Sequence, residues 1–132
     1  MKKKLMIPTV YTSLLFFLAA GVGAAEFKLD STNDVTLHNV IASTALYQGR
    51  AALRVELTED IQQRILKGQG SNNPAFAILP AEFKNGIIEV DLTGELNGRG
   101  APDARAFVGV AFHIPADNST YEAVYLRMTN GR

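Results

Sequence analysis

The chain has 132 residues, with thirteen basic and thirteen acidic side chains and no cysteine. Thiol catalysis, disulfides and zinc-thiolate sites are excluded, and the fold must be held by packing alone. With Lys2, Lys3 and Lys4 set aside, ten basic side chains face thirteen acidic ones, a net charge of −3. That balance gives no electrostatic draw toward nucleic acid or an anionic lipid surface.

The chain begins with those three lysines, an apolar run from Leu14 to Ala20, and small residues at Val22, Ala24 and Ala25. This is the layout of a secretory signal peptide over residues 1 to 25. The apolar run is broken by Thr12 and Ser13 and followed by Gly21 and Gly23, shorter than the roughly 20 residues of a spanning helix. Cleavage before Ala25 and cleavage before Glu26 are both compatible with the spacing. No cysteine follows to carry a lipid. The expectation is an exported protein, periplasmic or extracellular, with no membrane span after cleavage. Residues 26 to 132 suffice for one domain.

Asp30 to Val35 is turn-rich, and a strand begins at Thr36 to Val40. After a Gln48-Gly49 turn, Ala51, Leu53, Val55 and Leu57 alternate with Ala52, Arg54 and Glu56, the period of a strand with one wet side. Thr58 to Lys67 is the one helix, with Thr58 as N-cap, Glu59 and Asp60 in the first turn, and Gly68 as the stop. Gly68 to Pro74 is loop, and Ala75 to Leu79 a short strand ended by Pro80.

Asn85-Gly86 signals a turn into a strand in which Ile88, Val90 and Leu92 point one way and Ile87, Glu89 and Asp91 the other. A glycine-rich loop from Gly94 to Pro102 leads into the longest strand, Ala104 to Ile114. Ala106, Val108, Val110, Phe112 and Ile114 form its core face, opposite Arg105, Phe107, Gly109, Ala111 and His113. Pro115 to Ser119 turns into a last strand, Tyr121 to Met128. The succession predicts an all-β fold, an antiparallel sandwich or barrel. The final Thr129 to Arg132 reads as a turn with no partner strand after it, which implies an incomplete module with an unpaired, self-associating edge.

The segments Phe83 to Leu92, Ala104 to Phe112 and Tyr121 to Arg127 resemble consecutive strands of the concanavalin A-like lectin/glucanase superfamily. More narrowly, they are similar to bacterial secreted members related to laminin-G-like modules and to the 3-keto-disaccharide hydrolase type of domain. The resemblance runs from about Asp30 to Arg132. It implies a jelly roll of two curved sheets that binds saccharide on the concave face or rim, with more strands than this stretch supplies. Fold alone does not transfer function.

Opposite the apolar faces stand Glu89 and Asp91 on one strand, Arg105, Phe107 and His113 on another, and Tyr121, Tyr125 and Arg127 on a third. On neighbouring strands these carboxylates, guanidinium groups and rings would share one surface suited to a glycan, with rings stacking on sugar C–H faces and charged groups bonding hydroxyls. Gly109 and Ala111 would leave room above it. The expected ligand-binding residues are therefore Glu89, Asp91, Arg105, His113, Tyr121, Tyr125 and Arg127. The plainer reading is a wet sheet face on which Glu89 and Asp91 pair with Arg105 and Arg127.

Glu89-Val90-Asp91 invites comparison with laminarinase-type glucanases, which resemblance supplies with a nucleophile Glu, a helper Asp and an acid/base Glu on one strand face. Here Thr93 stands where the second Glu belongs, and Glu95 lies beyond Gly94. The pattern is broken, so no catalytic residue is assigned. His38 and His113 fall on different strands and read as hydrogen-bonded side chains, not metal ligands. Asp30, Asn33 and Asp34 are a weak calcium candidate, and no other cofactor is implied. The leading expectation is an exported carbohydrate-binding sandwich without catalysis of its own. The alternatives are a fragment of a glycoside or keto-sugar hydrolase and an envelope protein-docking module.

Overall fold

A computed structural model describes residues 24–69 and 74–129. Most of the signal segment lies outside the described residues. The elements are β1 (Thr36–His38), β2 (Val40–Tyr47), β3 (Arg50–Leu57), α1 (Glu59–Leu66), β4 (Phe76–Ile78), β5 (Phe107–Phe112) and β6 (Glu122–Arg127). They form three two-stranded antiparallel sheets, β1 with β4, β2 with β3, and β5 with β6. Regular structure is thus mainly strand with one short helix, in keeping with the all-β expectation. Among the described residues no helix is long and apolar enough to cross a membrane.

The strand expected to begin at Thr36 extends to Tyr47, but Asn39 divides it. Its backbone is left-handed, with φ 57°, a conformation asparagine adopts more readily than most residues. The kink sends β1 to β4 and β2 to β3. It is held from both sides: the Asn39 carbonyl accepts from the Thr58 N–H at 3.1 Å, and its side-chain amide donates to the Pro74 carbonyl at 2.7 Å.

Gln48 and Gly49 close the β2–β3 hairpin with φ of 48° and 78°. Two positive φ values at the central positions mark a type I′ turn, whose twist matches that of the strands it joins. Tyr47 opposite Arg50 and Val40 opposite Leu57 fix the register. Val40, Ala42 and Leu46 therefore share a face with Leu57, Val55 and Ala51. Burial fades along that face from Val40, 7 % exposed, to Leu46, 80 % exposed.

Helix α1 keeps the start and stop read from the sequence. Glu59 and Asp60 occupy its first turn, Arg64 pairs with Asp60 at 3.0 Å, and Gln63 donates to Glu59 at 2.9 Å. At its end Gly68 N–H donates to Ile65 and Gln69 N–H to Arg64, at 3.0 and 2.8 Å. With Gly68 at φ 68°, these are the two bonds of a Schellman cap. Among the described residues Ile61, 5 % exposed, is the other buried apolar side chain, so their core sits at Val40 and the helix.

The strand expected over Ala104 to Ile114 is shorter, Phe107–Phe112. Ala106 and His113 have φ of 47° and 54°, and a left-handed residue at each end rotates the chain out of the strand plane and ends the alternation. The strand expected over residues 87–92 is absent. Residues 79 to 106 form no helix or strand.

The contacts of that segment explain its lack of a ladder. Ile88 and Leu92 lie toward the even-numbered side chains of β5 and β6, and together they line an open apolar cavity of about 390 Å³. A side chain at Gly94 would stand 3.0 Å from Met128 Cγ and 3.2 Å from Val108 Cβ. On its other side Asp91 meets Arg50 at 3.0 Å and Thr93 meets Tyr47 at 3.3 Å. The segment is laid across the face of one hairpin and toward the tip of another. It keeps side-chain alternation without lying edge-on to a strand that could pair with it.

Candidate functional site

Among the seven residues expected to bind ligand, Tyr125 and Arg127 are brought together. The register sets Phe107 opposite Arg127 and Gly109 opposite Tyr125, so one face of the β5–β6 hairpin carries Phe107, Tyr125 and Arg127. The Phe107 and Tyr125 rings meet edge to face with centroids 5.5 Å apart, and the Arg127 guanidinium lies 5.1 Å from the Phe107 centroid. Both contacts are favourable for the ring quadrupoles. Both rings remain more than half exposed, at 57 % and 56 %.

Of the other expected residues, Asp91, His113 and Tyr121 have partners outside this trio. Asp91 pairs with Arg50, with both side chains largely in solvent, and not with Arg105 or Arg127. Glu89 is exposed, two residues before it on an irregular segment. His113 Nδ1 donates to Glu122 Oε1 at 2.8 Å, and its ring lies 6.1 Å from that of Phe83. The Arg105 carbonyl accepts from the Thr129 hydroxyl at 3.3 Å. Tyr121 packs edge-on against Phe76, with centroids 4.9 Å apart. The room expected over Gly109 is taken by β6, because a Cβ there would come within 2.7 Å of the Tyr125 Cα and Cβ and would collide with the Val124 carbonyl oxygen. That glycine permits a close strand approach.

A second cluster forms around His38. Asn39 Nδ2 lies 3.2 Å from His38 Nε2, and Asn118 Nδ2 lies 3.3 Å from His38 Nδ1. Because the Pro74 carbonyl can only accept, Asn39 presents its NH₂ group there and donates to Nε2 as well. Phe76 stacks on the ring at 6.4 Å. The histidine ring thus sits between two side-chain amides, a hydrogen-bonded setting of the kind expected for it.

The third cluster is electrostatic. Glu56 receives Asn97 Nδ2 at 3.2 Å, Arg54 at 3.1 Å and Arg99 at 3.1 Å, and Arg99 also reaches Glu59 at 3.3 Å. The Asn97 hydrogen bond, ahead of the Arg54 and Arg99 guanidinium groups, holds the Glu56 carboxyl below its ordinary value. Asp117 is lowered too, by hydrogen bonds from Ser119 at a turn. The Glu56 cluster binds the irregular segment to the base of β3 and so is structural.

Sequence reasoning did not single out Asn39, Arg50, Phe76 or Arg99. Of these, Asn39 leaves a readable signal, a lone asparagine inside a β-like run. The Arg99 contacts span 40 and 43 residues of chain and leave no local trace. Among the described residues no group of three or more His, Asp and Glu side chains could hold a metal ion. Asp30 of the calcium candidate offers its carbonyl to the Thr44 hydroxyl at 3.3 Å.

Compared with protein-family models, curated proteins and solved structures, the chain matches none.

Proposed function

We propose that this chain is an exported saccharide-binding β-sandwich of the concanavalin A-like kind, without catalysis of its own. The observation that carries the reading is the trio Phe107, Tyr125 and Arg127 on one face of β5–β6. Exposed aromatic side chains forgo the roughly 1.5–3 kcal/mol that burial of a large apolar side chain provides. Two such rings beside a guanidinium offer a sugar a C–H stacking surface and a bidentate hydroxyl donor. The layered course of residues 88–94 across the apolar side of β5–β6 supports a sandwich. The resemblance of residues 83–92, 104–112 and 121–127 to concanavalin A-like strands supports the ligand class. In this narrower site Asp91 is not a ligand, since it is turned to Arg50.

Calorimetric titration against a panel of glucans and a glycan array tests the reading. Saccharide binding reduced at least tenfold by Arg127→Ala or Tyr125→Ala supports it, and absence of binding to any glycan ends it. A second reading, an envelope protein-docking module, is favoured by the open apolar cavity beneath Ile88 and Leu92. It calls for binding that survives Arg127→Ala and is lost on Leu126→Ser, with no response to glycans.

A further inference from the structure

Strand β6 has one occupied edge and one open edge. The Met128 N–H donates to the Ala106 carbonyl at 3.2 Å, and the Val124 carbonyl oxygen lies against Gly109 of β5. The even-numbered residues therefore turn their backbone groups toward β5. These groups alternate from side to side along an antiparallel strand, so the N–H and C=O of Ala123, Tyr125 and Arg127 turn outward. Among the described residues no strand takes up that edge, and every residue of β6 is exposed. A regular row of unpaired backbone groups is a template for another strand.

We infer that β6 pairs antiparallel with β6 of a second copy of this chain, across a two-fold axis at Tyr125. The side chains select both the occupant and the register. Centred on Tyr125, the pairing sets Val124 opposite the partner's Leu126, which extends the apolar face of the hairpin. Ala123 then faces the partner's Arg127, Glu122 faces the partner's Met128, and no like charges meet. Centring on Val124 instead would set the outward backbone groups of Arg127 opposite Tyr121, outside the strand, and centring on Arg127 would oppose two guanidinium groups. In the Tyr125 register every outward N–H and C=O of the three odd-numbered residues finds a partner. A single strand edge is smaller than the about 1,200 Å² of a stable interface, so the dimer is reversible and concentration-dependent.

The absence of cysteine makes the register directly testable. A hydrogen-bonded antiparallel pair holds its Cα atoms about 5.5 Å apart, within the range of about 4.4–6.8 Å that a disulfide spans. Under mild oxidation Tyr125→Cys should cross-link to a covalent dimer at least tenfold faster than Val124→Cys. Sedimentation velocity without saccharide should show a monomer–dimer equilibrium that Ala123→Pro weakens at least tenfold, because proline removes an outward N–H and spares the β5 ladder. Should that variant fail to fold, the cross-linking comparison decides alone. A monomer at every concentration, faster cross-linking of Val124→Cys, or association only with a different protein overturns the inference. Saccharide binding by a strict monomer would overturn it while leaving the saccharide reading intact.

Discussion

The two long hairpins are made of the same material and put to opposite use. β2–β3 is closed by a two-residue turn, and its base passes directly into a capped helix; the two buried apolar side chains, Val40 and Ile61, belong to that unit. β5–β6 is joined by a longer connection containing left-handed His113 and Asn118. Its second strand is exposed throughout, with only the irregular residues 88–94 laid across its apolar side. Two-residue alternation creates an apolar face in both. The helix that follows β3 turns the first into a core, while the second keeps its surface available to a ligand or partner.

The contrast is tested most severely by mutation in the core. Ile61→Ala should cost about 2–5 kcal/mol, read as a lowered urea midpoint, whereas Leu126→Ala on β6 should stay within about 0.5 kcal/mol. Equal losses would mean that the second hairpin is as well packed as the first. Gly109→Ala should come next, at about 1–3 kcal/mol, because its methyl group would overlap the Val124 carbonyl and force the strands apart. Hydrogen exchange should then accelerate in β5 and β6 and leave β2–β3 unchanged.

A smaller effect is expected from acid. The Glu56 carboxyl titrates below its ordinary value of 4.5, so the unfolded chain takes up that proton more readily than the folded one. The resulting stabilisation is complete above pH 4.5 and is lost as pH falls through the folded-state value. Urea unfolding measured from pH 7 downward should show this loss, and Glu56→Gln should flatten that part of the curve. The smallest effect belongs to Asp91→Asn. Its bond to Arg50 is almost fully exposed, and such a pair contributes at most about 1 kcal/mol, detectable in thermal unfolding at low salt and absent at high salt.

Much of the first hairpin is legible because its signals are local. Gln48-Gly49 announces a turn, Thr58 to Asp60 a helix start, and Gly68 a stop, each through the conformational preference of one or two residues. Strand β2 is less legible, since Ile41, Ser43 and Ala45 do not contrast clearly with Val40, Ala42 and Thr44. The second hairpin exposes the limit of periodicity. Alternation places Phe107, Tyr125 and Arg127 on one face and correctly opposes Ile88 and Leu92 to Asp91. It carries no information on whether a segment lies edge-on or face-on to its neighbour, and so it does not foretell the pairing of Asp91 with Arg50. Left-handed Ala106 is also silent, because alanine does not favour that conformation.

The chain of bonds from the Pro74 carbonyl through Asn39 and His38 to Asn118 spans both halves of this comparison. The ring lies against a group from each half, which makes a single imidazole a reporter of how the two halves are seated. Nitrogen-15 chemical shifts of His38 would register withdrawal of the Asn118 loop as a change at Nδ1 with Nε2 little altered, with no label attached to the hairpin itself.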